Sequence, residues 1–149
     1  MTAHTLDSTG HRTAAAGRRT LAGALGGIAG GLVFGMMMAR MGMLTMIAGM
    51  MGSSSAGVGF GIHMMISIVF GIGFSVLAAR WLGSWGRSLL AAVVYGIVLW
   101  VFGPLLVMPM MMGTAVFAVT GTTMMSLMGH LIYALITAAV TVLISRRRA

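Results

Sequence analysis

One arrangement of residues occurs twice in this sequence and limits the folds open to it. In each copy an apolar segment with glycines leads into an uncharged Met-rich stretch, and a histidine then opens a second apolar segment that ends in arginine. The paired positions are Gly35/Gly96, Gly42/Gly103, Gly52/Gly113 and Met50/Met111 at an offset of 61 residues, then His63/His130 and Arg80/Arg147 at an offset of 67. The sequence therefore predicts a duplicated helical hairpin.

The apolar segments are long enough to cross a bilayer. Hydrophobic residues make up 59% of the chain and charged residues only 7%, far from the usage of soluble proteins. A span needs about 20 residues, and we predict four, over 21–42, 57–79, 88–112 and 124–145. The expected fold is all-α and polytopic, with four transmembrane helices as a tandem repeat of two helical hairpins. Repeat 1 covers about 20–80 and repeat 2 about 87–147, within one domain over 20–149.

The arginines predict how the chain is oriented. All but one flank the apolar segments or lie in the tail: Arg12, Arg18, Arg19, Arg80, Arg87 and Arg146–Arg148. The connections over 43–56 and 113–123 carry no charge, so the positive-inside rule places both termini in the cytoplasm of a bacterial plasma (inner) membrane. Arginines distributed in this way form no nucleic-acid patch. Residues 1–19 have few apolar side chains and are expected to form a disordered cytoplasmic tail.

Small residues recur at every fourth position of two spans, which lets membrane helices approach closely. The first stripe is Gly23, Gly27, Gly31, Gly35 and Ala39, and the second is Gly59, Ser67, Gly71 and Ser75. His63 lies on the second stripe, so its side chain is expected to face the bundle. Gly103-Pro104 and Pro109 are expected to kink or end the third span, and Gly42 to break the first.

The two histidines are the first candidate site. His63 lies seventeen residues before Arg80, about 25 Å of helix, and His130 lies equally far before Arg147. Repeats inserted in the same orientation are related by an axis along the membrane normal. The imidazoles would then face each other as ligands of haem b, with Arg40 at the same depth for the propionates or another anion. Alternatively, backbone carbonyls or hydroxyls satisfy two buried histidines and Arg40 reaches the outer interface.

Methionine pairs are the second candidate site. Met46/Met50 and Met108/Met112 have the i, i+4 spacing of one helix face. Thioethers suit Cu(I), so these residues predict a copper site or the lining of a copper or small-solute pathway. Alternatively, methionine is a flexible filler of irregular packing.

The inventory of reactive side chains is poor. The chain contains no Cys and a single acid, Asp7, which excludes disulfides, thiolate sites and paired carboxylates. We therefore expect no enzymatic activity, no catalytic residue and no cofactor unless one of the two alternatives holds. The function expected is that of a structural or accessory component of the membrane. Its partners would be the bilayer and either a second copy or a larger membrane complex.

Several short motifs follow one another in a recognisable order. From His63 the chain reads HMMISIVFGIGFSVLAAR, then a tryptophan-containing link, FGPLLVMP, and SLMGHLIY before the terminal arginines; Arg40-Met41-Gly42 closes the first span. This order resembles the YagU-type family of small bacterial inner-membrane proteins. The resemblance implies a four-helix membrane protein without an established reaction and with some link to acid tolerance. It implies no catalytic residues.

Overall fold

The computed structural model describes residues 3–146, with side chains from residue 15 onward, and all regular secondary structure in this part of the chain is helical. The helices are α1 (Ala3–Arg40), α2 (Leu44–Gly49), α3 (Ala56–Leu77), α4 (Trp85–Trp100), a π-helical segment (Val101–Val107), α5 (Met108–Met112) and α6 (Gly121–Arg146). Four segments are long and apolar enough to cross a membrane: Ala15–Arg40, Ala56–Leu77, Trp85–Met112 and Gly121–Arg146. The predicted all-α class with four candidate spans is confirmed.

The first helix begins much earlier than the sequence predicts. Residues 3–19, expected to be a disordered tail, continue α1 without a break. Alanine has the highest helix propensity, and a helix that already exists adds residues without a new nucleation cost. The run Ala14–Ala16 next to the first span therefore favours continuation of the helix. Residues 1–2 of the expected tail, and Arg147 and Arg148 at the end of repeat 2, lie outside the described residues.

Helix α1 packs against both α3 and α6, and glycines make both contacts close. Toward α3 it presents the stripe that the sequence predicts: a Cβ added to Gly31 would lie 2.7 Å from Cβ of Ser67. One added to Gly35 would lie 2.8 Å from the ring of Phe60. Ordinary van der Waals contact begins near 3.4 Å, so only glycine allows the two helices to come this close.

A second glycine face of α1 meets α6, and the stripe predicted from the sequence does not include it. A Cβ added to Gly26 would lie 2.6 Å from the carbonyl oxygen of Thr137. Threonine hydroxyls of α6 lie close to backbone carbonyls of α1. Thr137 Oγ1 donates to the carbonyl of Gly26 at 3.2 Å. Thr141 Oγ1 donates mainly to the carbonyl of Thr137 within α6, at 2.7 Å, and lies 3.4 Å from the carbonyl oxygen of Ala22 on α1. Hydrogen bonds and close packing thus join the first and last helices.

The remaining pairs of neighbouring helices are not equivalent. Helix α4 packs closely on α6, where a Cβ added to Gly96 would lie 2.9 Å from the carbonyl oxygen of His130. Helix α4 reaches α3 mainly through Tyr95, whose hydroxyl donates to the carbonyl of Phe70 at 2.8 Å and whose ring lies 5.4 Å from that of Phe74. The bundle is therefore tight between α1 and α6 and looser between α3 and α4, whereas the predicted duplication would make these two interfaces equivalent.

Glycine and proline interrupt the spans where the sequence predicts. Gly42 has φ +69°, the left-handed region that favours glycine, and α1 ends two residues before it. Pro104 has no amide hydrogen to donate, and it lies in the π-helical segment that continues α4. Gly52 and Gly113, which the predicted repeat pairs, both have positive φ, at 69° and 65°, and each follows a short helix, α2 or α5. The chain turns in the same way after α2 and after α5.

Candidate functional site

His63 lies in the interface between α1 and α3. It is only 7% exposed, and its Nε2 lies 3.0 Å from the carbonyl oxygen of Gly31 on α1. A carbonyl only accepts, so this ring nitrogen carries the hydrogen and donates it. The hydroxyl of Ser67, one turn further along α3, lies 3.5 Å from the same nitrogen. The imidazole thus links two helices through a hydrogen bond between its side chain and the backbone.

His130 forms the equivalent bond within its own helix. Its Nδ1 lies 2.8 Å from the carbonyl oxygen of Ser126, four residues earlier in α6, and therefore donates to it. Its other nitrogen is directed toward the third span, since Nε2 would lie 3.9 Å from a Cβ added to Gly103. The two histidines therefore have different donor nitrogens and different partners.

Phe34 of α1 contacts both imidazoles. Its ring centroid lies 5.4 Å from that of His63 and 4.9 Å from that of His130, in edge-to-face geometry. The ring is buried and rests on Gly129, where a Cβ would overlap it. Both imidazoles thus contact one aromatic ring of α1. Nothing in the spacing of the sequence marks Phe34 for this position.

Arg40 is not part of this cluster. The sequence predicts it at the depth of the histidines, whereas it is the last residue of α1, six positions beyond Phe34 and exposed. Six residues correspond to about 9 Å of helix. The first span continues past the imidazoles before Gly42 ends it, and this carries Arg40 further outward. The structure therefore does not bring together the predicted trio of two histidines and one arginine.

The methionines converge at the same end of the bundle. An open cavity of about 430 Å³ lies between α2 and α5, and it is lined by Thr45, Met46, Gly49, Met50, Met111 and Met112. Three of the four methionines in the predicted copper set are among these residues. The fourth, Met108, packs instead against the buried core, and Met111 takes its place. Met50 and Met111 are equivalent positions of the two repeats.

The opposite end of the bundle carries arginines. Arg146 Nη2 donates to the carbonyl of Gly83 at 2.6 Å, which ties the end of α6 to the link between α3 and α4. The guanidinium of Arg80 lies 4.4 Å from the ring centroid of Trp81. Arg18 and Arg19 line a second cavity, of about 230 Å³, together with Ile144. The beginning of the first span, the middle link and the end of the last span therefore meet at one basic surface.

Within residues 15–146, no buried side-chain nitrogen or oxygen lacks a hydrogen-bond partner. Nor does the described part of the chain contain a group of three or more His, Cys, Asp or Glu side chains that could hold a metal ion. Comparison with protein-family models, curated proteins and solved structures gave no match. The resemblance to the YagU-type family therefore stays a prediction from short motifs.

Proposed function

We propose that this protein is a non-enzymatic integral membrane protein that acts as a structural or accessory component of the bacterial plasma membrane. The observation that carries the proposal is the use of its polar side chains. Every buried polar side chain in the described residues is hydrogen-bonded within the protein. Enzymes and transporters keep polar or ionisable groups directed at a ligand or a water-filled path. Here these groups hold helices together.

The charges support one orientation. Arg18, Arg80 and Arg146 belong to the basic end, and the connections at the other end carry no charge apart from Arg40, where α1 finishes. Cytoplasmic loops of membrane proteins are enriched in Lys and Arg. We therefore propose that the basic end, with both termini, lies in the cytoplasm and that α2 and α5 lie on the outer side.

The apolar exterior supports a role in association. Large hydrophobic side chains of α4, such as Leu90 and Val94, are 66% and 55% exposed. In a bilayer such a surface contacts lipid or another membrane helix. Because the polar groups are used internally, this exterior is the surface available to a second copy or to another membrane protein.

The haem alternative has less support. A bis-His site needs two imidazole nitrogens facing one iron, whereas His63 Nε2 donates to Gly31 and Phe34 lies against both rings. We expect the purified protein to show no Soret band. A Soret band that disappears in a folded His63→Gln variant would establish haem binding and contradict a purely structural role.

Native extraction tests the accessory role. We expect the protein, extracted with its surrounding lipid into polymer nanodiscs, to migrate as a homo-oligomer or with a stoichiometric partner after cross-linking. Proteoliposomes of the purified chain should pass protons and small solutes no faster than protein-free vesicles. A monomer that catalyses flux would contradict the proposal.

Paired histidine variants separate a packing role from a chemical one. Gln at position 63 keeps an N–H donor for the carbonyl of Gly31. Leu removes this donor, although its side chain has a volume similar to that of Gln. We expect His63→Gln to preserve the abundance and assembly size of the protein, and His63→Leu to lower its stability in detergent. Loss of the native assembly in a folded, stable His63→Gln variant would show that the imidazole does more than pack.

A further inference from the structure

We propose that the cavity between α2 and α5 binds one Cu(I) ion through the thioethers of Met46, Met50, Met111 and Met112. This site goes beyond the accessory role and is independent of it. It also differs from the set that the sequence predicts, because Met111 replaces Met108.

Helix α2 is anchored to the bundle by one buried face. Leu44, Ile47 and Ala48 bury one face of this short helix, which packs on α3. Met46 is an exposed residue of α2 and Met50 follows the helix as its C-cap, and both line the cavity. The backbone that carries these two thioethers is therefore anchored, while the side chains stay free to adjust around an ion. Met111 and Met112 reach the cavity from α5 on its other side.

The donor atoms that line the cavity are mainly thioether sulfurs. Thioether sulfur is a soft, neutral ligand that prefers Cu(I) over hard cations. Thr45 supplies the one hydroxyl in the lining, and its Oγ1 already donates to the carbonyl of Gly42 at 2.9 Å. No carboxylate, imidazole or thiolate lines this cavity. A ligand set without negative charge compensates a monovalent ion more easily than a divalent one, because the cost of removing an ion from water rises with its charge.

The exposed fraction of the α5 methionines distinguishes them from methionines that fill the buried core. Met38 and Met43 are 4% and 8% exposed and belong to the buried core. By contrast, Met111 and Met112 are 57% and 47% exposed. Met65 and Met125 are exposed as well, so the position of Met111 and Met112 in the cavity lining is what sets them apart. Three rotatable bonds let such side chains close around an ion from an open cavity.

The experiment uses the full chain in nanodiscs, titrated with Ag(I) and, under reducing conditions, with Cu(I) in competition with a chromogenic Cu(I) chelator. Two paired variants remove the donors of each helix: Met46→Leu with Met50→Leu, and Met111→Leu with Met112→Leu. Leu keeps the volume and the apolar character of Met, so both variants should fold. The matched control is Met65→Leu with Met125→Leu, two exposed methionines outside the cavity lining.

We expect one equivalent of metal to bind to the wild type and to the control. Either cavity pair should raise the Kd by more than about tenfold, because even the loss of an outer-shell partner typically costs roughly 10- to 100-fold in metal affinity. X-ray absorption of the loaded protein should show only sulfur in the first shell, and Zn(II) should not compete. Met108→Leu should leave the Kd unchanged.

Three outcomes would overturn the site. The first is a wild type that retains no metal against the chelator. The second is the binding of several equivalents with an affinity that the control pair lowers as much as the cavity pairs do. The third is that Met108→Leu raises the Kd while the Met111/Met112 double variant leaves it unchanged. The ligands would then be the methionines predicted from spacing alone. None of these outcomes bears on the assembly or the flux of the protein.

Discussion

A close backbone contact between α1 and α3 offers the sharpest test of the packing. Gly27 of α1 faces α3, where a Cβ would overlap the carbonyl oxygen of Ser67 and lie 3.1 Å from Cα of Gly71. Both obstacles are backbone atoms, so no side-chain rotation relieves the contact. Gly27→Ala must push α1 and α3 apart. The carbonyl of Ser67 also accepts the hydroxyl of Tyr133 at 2.6 Å, so the displacement strains a third helix as well.

The expected change in the free energy of unfolding is the balance of two destabilising contributions and one stabilising contribution. Overpacking a close contact costs about 1–3 kcal/mol, and weakening an interhelical hydrogen bond in a membrane protein adds about 0.6 kcal/mol. Replacing a helical glycine with alanine recovers roughly 0.5–1 kcal/mol. We therefore expect Gly27→Ala to lower the free energy of unfolding by about 1–3 kcal/mol. The assay is circular dichroism of the protein in mixed micelles during titration with sodium dodecyl sulfate.

Gly61→Ala is the matched control, because Gly61 is also helical but has nothing within 4 Å of an added Cβ. It should leave stability unchanged or raise it slightly. If Gly27→Ala proves as stable as Gly61→Ala, then α1 and α3 are not in backbone contact and the arrangement of the bundle described above is wrong.

Three further changes have defined outcomes. Tyr133→Phe removes the hydrogen bond to Ser67 and should cost about 0.6–1.7 kcal/mol in the same titration; an unchanged midpoint would mean that the bond is absent. Phe34→Ala removes a buried ring packed on both histidines and should cost roughly 3–5 kcal/mol, whereas a cost below about 1 kcal/mol would place that ring in lipid. A reporter fused after Ala149 should be active in the cytoplasm, and periplasmic activity would reverse the orientation.

Much of the fold could be predicted because the bilayer imposes a length on apolar segments. The four spans follow from uncharged runs and their flanking arginines, and Gly42 and Pro104 interrupt helices for backbone reasons that hold in any context. The second glycine face of α1 could also have been predicted from the sequence, since Gly26 and Gly30 have the same four-residue spacing as the first stripe. Two interleaved stripes indicate a helix with a neighbour on each side.

The site was less predictable because side chains from distant segments form it. Spacing places Met108 and Met112 on one face of α5, but it does not reveal how far the cavity extends along that face: Met108 packs against the buried core and Met112 lines the cavity. Met111 was recognisable only as the repeat partner of Met50. Phe34 carried no signal, since a lone aromatic in an apolar run does not reveal which helices it will touch.

The contact between α1 and α6 has a consequence for how the protein is made. The bond from Thr137 to the carbonyl of Gly26 joins residues 111 positions apart. The ribosome therefore releases α1 into the membrane long before its second neighbour exists. Until α6 is inserted, the face around Gly26 and Gly30 borders lipid, and the hydroxyl of Thr137 has not reached its carbonyl on α1. A chain that stops before residue 121 would keep every element of the first hairpin and still lack the helix that closes the bundle.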